Sequence, residues 1–221
     1  MEEKLDFGKM RRIMVKNQIV ARGIRDKRVI DAFLKVPRER FVPEHLKEYA
    51  YEDGPLSIGK GQTISQPYIV ALMTECLELK GKEKVLEVGT GSGYQAAIIA
   101  EMGCDVYSVE RFPELANTAK RVLEELGYNV KIKIGDGTLG WDDFAPYDRI
   151  IVTAAGPEIP PSLYNQLKEG GSIIMPVGDR YFQDLILVKK LGNRMEKKNF
   201  GGCQFVLLRG IEGWKNGEED M

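Results

Sequence analysis

Glycines at positions 89, 91 and 93, with carboxylates at 87, 110 and 136, are the residues whose spacing points to chemistry. The run Lys84-Val85-Leu86-Glu87-Val88-Gly89-Thr90-Gly91-Ser92-Gly93-Tyr94 carries an apolar strand into alternating glycines and then into a helical pattern. Glycine turns the backbone through positive φ and lets a ligand approach where a Cβ would collide, while the helix that follows presents unpaired N–H groups. The stretch reads as a nucleotide cradle, and such a turn suits a charged, adenosine-bearing cofactor. A dinucleotide fingerprint requires G-x-G-x-x-G; here Tyr94 occupies the last of those positions and the third glycine falls at Gly93, which weakens a nicotinamide-dependent oxidoreductase without excluding it.

Two further acids follow strands. Asp105-Val106-Tyr107-Ser108-Val109 ends in Glu110, about 20 residues past the glycine turn, where α/β nucleotide folds place a carboxylate that accepts from both ribose hydroxyls. The alternating run Val130 to Ile134 leads into Gly135-Asp136-Gly137. Asp136 can serve a ligand there, or simply shape the turn.

These residues need a parallel sheet beneath them. From Lys84 onward strands and helices alternate: strand, helix to Met102, strand, helix from Pro113 to Leu126, strand, then Tyr147 to Val152, a crossover helix over Ile159 to Leu167 and the strand Ser172 to Met175. Leu185 to Lys189, Arg194 to Lys198 after Gly192-Asn193, and Gln204 to Leu208 follow with no helix between them, which predicts an antiparallel finish. Upstream, Met10 to Ala21 and Val29 to Leu34 carry helical periodicity, Arg38 to Pro43 reads as an extended link, Tyr51 to Lys60 as a turn-rich approach, and Tyr68 to Leu79 as a helix. The expected organisation is a helical region over 1–60, a catalytic domain over 61–215 and a frayed tail over 216–221.

Composition limits the function classes. The 221 residues, 43% hydrophobic, suffice for one large core with an appendage. Thirty-two basic and 33 acidic side chains leave a net charge of −1 and no global field for a polyanion, so nucleic acid is not the expected partner. Cys76, Cys104 and Cys203 form no C-x-x-C pair, which indicates neither a disulfide framework nor a metal site. The charged start Met1-Glu2-Glu3-Lys4 and the shortness of every apolar run predict a cytoplasmic protein with no membrane segment.

Glu87 with Gly89-x-Gly91-x-Gly93 resembles the first motif of class I S-adenosylmethionine-dependent methyltransferases. That resemblance implies a doubly wound α/β fold with a mostly parallel sheet, S-adenosyl-L-methionine as cofactor, S-adenosyl-L-homocysteine as product, and Asp136 as partner of the adenine amine. It extends further: Ser57-Ile58-Gly59, Thr63-Ile64-Ser65-Gln66-Pro67, the glycine run, Gly135-Asp136-Gly137 and Pro176-Val177-Gly178 together resemble the protein-L-isoaspartate O-methyltransferases over most of the chain. What this implies is methyl transfer to the free α-carboxylate of L-isoaspartyl residues in damaged proteins and peptides, initiating repair through a succinimide. It also implies Ser65 and Thr63 as catalytic residues. Cofactor contacts are implied from Gln62, Ile64, Gly89, Thr90, Gly91, Gly93, Glu110, Asp136 and Gly137, and substrate contacts from Ser65, Phe205 and Val206.

Such an acceptor has a pKa of about 3.3 to 3.7 and is already the nucleophile at neutral pH. No base is then needed, and His45, the only histidine, is expected to be an ordinary surface or packing residue. Ser65 would orient the carboxylate, though it can also cap the helix that begins near Pro67. A dry pocket would favour loss of the two opposite charges, which suggests the N-terminal region as a lid. The partners expected are isoaspartyl proteins and peptides, with the chain acting as a monomer. Other class I methyltransferase substrates stay open, but the Asp/Asn-Pro-Pro-aromatic cluster of nucleic-acid amino-methyltransferases is missing after Val152.

Overall fold

The computed structural model describes residues 5–192 and 194–215. The charged start, Asn193 of the Gly192-Asn193 turn and the 216–221 tail lie outside the described residues. Seven strands form one sheet: β3 (Lys84–Val88), β4 (Asp105–Glu110), β5 (Val130–Ile134), β6 (Tyr147–Val152), β7 (Leu167–Gly178), β8 (Gln183–Leu191) and β9 (Arg194–Cys203). Their spatial order is β5-β4-β3-β6-β7-β8-β9. The pairs from β5 through β7 are parallel, and β7–β8 and β8–β9 are antiparallel. The chain enters the sheet at β3, builds outward through β4 and β5, then returns to the other side of β3 at β6. That reversal opens a crevice beyond the carboxyl ends of β3 and β6, where doubly wound sheets bind ligands.

Neighbouring residues along each central strand face opposite layers. Val85, Val106, Ile151 and Ile174 join the core that includes α3 (Pro67–Cys76), α4 (Tyr94–Glu101), α5 (Pro113–Glu125) and the N-terminal helices α1 (Phe7–Met14) and α2 (Lys27–Lys35). Leu86, Tyr107, Ile150 and Ile173 join a second core with Leu163 of α6 (Pro161–Asn165), against which Trp141 packs. Strands buried on both faces read as continuous apolar runs, which is how the sequence writes them.

Several expectations are corrected. Arg38–Phe41 is a 3₁₀ turn rather than an extended link, because Pro37 ends α2 and the turn lets the Arg38 side chain enter the core. The approach over 51–60 contains β1 (Leu56–Gly59), which pairs with β2 (Gln62–Ile64) as a hairpin. Lys60 and Gly61 supply its turn with φ of 55° and 68°, the positive pair that tight hairpins use. The crossover helix is only the five residues of α6. Gln204 to Leu208 is not a strand: the ladder ends at Gln183↔Cys203, and the Gln183 carboxamide then takes the Phe205 main chain. The chain leaves the sheet edge there and crosses above it, bridging Ala155 at Leu207.

Candidate active site

Three adjacent strand ends make the first pocket, lined by Val88–Ser92 after β3, Val109–Arg111 after β4 and Thr153–Ala154 after β6. Gly89 has φ of 94°, and a Cβ there would lie 2.5 Å from Thr153 Oγ1. Thr153 binds the loop in return, its N–H reaching Val88 O at 2.9 Å and its hydroxyl reaching Gly89 O at 2.8 Å. The central strands are thus sewn together where the ligand crevice opens. Gly93, with φ of 88°, does not line the pocket; a Cβ there would come within 3.2 Å of Ala119 and Leu123 of α5. A side chain there would push α4 and α5 apart.

Glu110 faces this pocket and is only 5% exposed. One carboxylate oxygen accepts from Gly91 N at 2.8 Å and the other from Phe112 N at 2.9 Å. A carboxylate offers about four lone-pair sites, so two remain for a diol. Gly137 lines the pocket and Asp136 does not. Asp136 Oδ1 accepts from Thr138 N and Oγ1, and Oδ2 accepts from Ile211 N at 2.7 Å. Those donors hold its carboxylate against the segment after Leu208, in a depression that shares Arg111 and Arg209 with the first pocket.

Beneath the loop, Glu87 is fully buried and does not line the pocket. Its carboxyl accepts from Ser108 Oγ, which lies 2.5 Å from Thr90 Oγ1. Burial pushes its pKa up to about 8, against the pull of the Ser108 hydrogen bond. A neutral acid therefore supports Thr90 of the glycine loop at neutral pH.

The second pocket is an open groove of about 960 Å³. Gln62, Thr63, Ser65, Phe205 and Val206 line both cavities, so the β1–β2 hairpin and the 205–209 segment form a common wall. Ile64 lines the first pocket from its buried position on β2. Ser65 is not a helix cap: α3 begins at Pro67, with Gln66 at the cap position, and the Gln66 side chain donates to Asp53 Oδ1 at 2.8 Å. Among the described residues the Ser65 hydroxyl has no protein partner. Phe205 and Val206 contribute side chains to the wall, but the Phe205 N–H and C=O bind Gln183, and Val206 O accepts from Ala155 N at 2.8 Å. Those three main-chain groups are therefore engaged inside the protein.

Arg38 is the residue that the sequence analysis missed. It is fully buried, donates to Ala50 O at 2.7 Å and to Ser65 O at 2.8 Å, and lies 4.8 Å over the Tyr94 ring. Its burial lowers the guanidinium pKa to about 10. Tyr94 begins α4 and lines the first pocket, so Arg38 joins the cofactor side to the Ser65 backbone. An arginine between Pro37 and Pro43, in a segment otherwise rich in core residues, was the available signal. Thr153 was also missed; its place at the end of β6, beside the glycine loop, was the clue. His45 is exposed and away from both cavities. Among the described residues no group of acidic, histidine or cysteine side chains could hold a metal ion.

The donor set fits an adenosyl sulfonium: an acid at the ribose position, loop amides at a helix start, and apolar walls from Val88, Val109 and Leu208. Comparison with known proteins agrees. The profile of the family described as Protein-L-isoaspartate(D-aspartate) O-methyltransferase matches residues 9–213. A protein-L-isoaspartate O-methyltransferase of Syntrophus aciditrophicus (strain SB) is 55% identical over 212 residues, covering 94% of this chain and 97% of that protein. One of Dictyoglomus thermophilum is 56% identical over 195 residues, covering 88% and 89% respectively. A solved protein-L-isoaspartate O-methyltransferase superposes with a TM-score of 0.83 at 35% identity, covering 94% of this chain and 67% of that one. A Plasmodium falciparum structure described in the same terms, in complex with S-adenosyl-L-homocysteine, gives 0.77 at 26% identity, covering 89% and 96%. With the family profile spanning nearly the whole chain, this protein belongs to the protein-L-isoaspartate(D-aspartate) O-methyltransferase family.

Proposed function

We propose that this enzyme transfers the methyl group of S-adenosyl-L-methionine to the free α-carboxylate of L-isoaspartyl residues in damaged proteins and peptides, with Ser65 aligning the acceptor. The observation that carries this reading is the shared wall, in which Thr63 and Ser65 line both the cofactor pocket and the groove. When bound, the cofactor supplies a methyl group on a positively charged sulfur. Glu110 would hold its ribose through its remaining lone pairs, and the loop over Gly89, Thr90 and Gly91 would pass beneath it. Gln62 and Ile64 close the other side.

The acceptor carboxylate, with a pKa of about 3.3 to 3.7, arrives ionised, so the site has to align it rather than deprotonate it. The groove suits an anion: Arg111, Arg180 and Arg209 line it, and no carboxylate does among the described residues. Ser65 Oγ would donate to one carboxylate oxygen and leave the other aimed at the methyl carbon, at the roughly 3 to 3.5 Å of a reactive approach. Arg38 fixes the peptide plane that carries Ser65 by holding its carbonyl. Phe205 and Val206, which line the pocket, would keep water from the point where acceptor and cofactor meet, a dry setting that favours loss of two opposite charges. The resulting ester closes to a succinimide, whose hydrolysis restores some normal aspartate.

This reading has the enzyme act on proteins and peptides rather than nucleic acid, as a cytoplasmic monomer. Among the described residues no helix is long and apolar enough to cross a membrane, and the three cysteines are free thiols. The test is incubation with methyl-labelled S-adenosyl-L-methionine and two peptides that differ only in L-isoaspartate against aspartate. Alkali-labile label on the isoaspartyl peptide alone is expected; label on both, or on neither, overturns the reading.

A further inference from the structure

Beyond the groove, the turn between β7 and β8 spends its hydrogen bonds on an unusual product. Asp179 Oδ1 accepts from Tyr181 N at 2.7 Å and from Phe182 N at 2.8 Å, and Asp179 O accepts from Gln183 Nε2 at 2.9 Å. Gly178 is equally committed, since a Cβ there would lie 2.0 Å from Phe182 O. These contacts hold two adjacent aromatic side chains out in solvent, Tyr181 at 75% and Phe182 at 82% exposure. Single exposed apolar residues need no explanation, whereas here two adjacent aromatic side chains are held out together by a pinned turn.

The turn is continuous with the acceptor groove. Tyr181 and Phe182 share a shallow depression with Gly202 and Cys203, and those two residues also line the groove, as does Arg180. Gln183, which is 5% exposed, fixes the relation between turn and site: its carboxamide binds Asp179 O on one side and both the N–H and C=O of Phe205 on the other. Phe205 is part of the wall shared with the cofactor pocket. A chain whose isoaspartate sits at Ser65 can therefore leave along this groove and meet the two rings.

We infer that Tyr181 and Phe182 form a docking surface for apolar side chains of the substrate polypeptide lying several residues from the isoaspartate, and that it favours long unfolded chains over short peptides. Such side chains are buried in a folded protein and exposed in a locally unfolded one, so the rings would read the conformational state of the damaged region while Ser65 reads the lesion. The inference rests on the isoaspartyl reading of the groove.

The test uses the full chain and a Y181S/F182S double variant. Their substrates are an isoaspartyl hexapeptide and a permanently unfolded polypeptide containing that same hexapeptide flanked by leucine and phenylalanine. The variant is expected to keep the thermal midpoint, the affinity for S-adenosyl-L-homocysteine and the kinetics on the hexapeptide, while KM for the long substrate rises about tenfold. Equal KM changes on both substrates, or none on either, overturn the inference. Fluorescence anisotropy with a labelled polypeptide carrying aspartate in place of isoaspartate is expected to give weaker binding for the variant. This arm decides the docking surface even if the wild type leaves the hexapeptide unmethylated, a result that would reject the repair reading instead. Sedimentation of both proteins completes the test: a wild type that self-associates and a variant that does not would assign the rings to a second copy of this chain and overturn the inference.

Discussion

The first pocket has its floor on three adjacent strand ends, each contributing a few consecutive residues, and is closed by the β1–β2 hairpin and the 205–209 segment. The acceptor side is gathered from farther away. Ser65 follows the β1–β2 hairpin, its carbonyl is held by Arg38 from a 3₁₀ turn 27 positions upstream, and the opposite wall at Phe205 is held by Gln183 from β8. The first pocket rests on a local motif of the sheet, the second is held by long-range contacts, and the two share the hairpin and the 205–209 segment as a wall. Damage to the N-terminal region should therefore disturb acceptor alignment before it disturbs cofactor binding.

The largest effect is expected at Glu110. Glu110→Ala removes the ribose acceptor and frees Gly91 N and Phe112 N, so affinity for S-adenosyl-L-homocysteine should fall about a hundredfold, two hydrogen bonds to a charged acceptor at roughly 1.5 kcal/mol each. Titration calorimetry measures this. If the halves are as separable as their construction implies, KM for an isoaspartyl peptide at saturating cofactor stays unchanged; a parallel rise would break the distinction.

Ser65→Ala tests the other half. Loss of one orienting hydrogen bond, about 1.4 kcal/mol, should lower kcat about tenfold with cofactor affinity intact. Equal losses in turnover and cofactor binding would remove the orienting role. Arg38→Met sharpens the point, because it leaves Ala50 O and Ser65 O without their donor. About 1 to 3 kcal/mol of stability should be lost in denaturant titration. In the fraction that stays folded, kcat should fall a few-fold, and Arg38→Lys should recover part of it by keeping a donor near one carbonyl. A variant that loses stability while keeping the wild-type kcat would make Arg38 a support for the core only.

The same contrast explains what the sequence made legible. Gly89-x-Gly91-x-Gly93, Glu110 and the strand–helix alternation are local patterns, and they led to the parallel sheet and to residues that line the first pocket. The exceptions arose where a distant partner decides a side chain's direction. Asp136 reads as a strand-end acid, and only the fold shows that Ile211, 75 residues later, donates to one of its carboxylate oxygens. Gly93 reads as part of the cradle, and the fold adds that its missing Cβ makes room for α5. Gln204 to Leu208 alternates like a strand, yet Gln183 replaces the ladder with its side chain. Nothing near Arg38 in sequence announces Ser65 as its partner.

A smaller effect is expected beneath the glycine loop. Glu87 has a folded pKa near 8 against about 4.3 in an unfolded chain, so the native state binds the extra proton between those values. Its contribution to stability is complete below the unfolded pKa and is lost as pH rises through the folded one. Glu87→Gln keeps a neutral, similarly shaped side chain and should flatten the decline of wild-type stability across that window, as followed by denaturant midpoints. An unchanged slope would mean that the buried carboxyl titrates alike in both states. Because Ser108 carries the link from Glu87 to Thr90, the same substitution should leave cofactor affinity unchanged at neutral pH and higher than wild type above pH of about 8, where the wild-type carboxyl ionises beneath the loop.

The smallest effect is expected at His45, which is exposed and outside both cavities. An acceptor with a pKa of about 3.3 to 3.7 is fully ionised well below neutrality, so alignment needs no titrating base and kcat should be flat between pH of about 6 and 7.5. His45→Gln should leave both the profile and the stability unchanged, as surface substitutions usually do. An inflection near the histidine pKa that this substitution abolishes would place a proton transfer in the acceptor half, and alignment by Ser65 would no longer be sufficient.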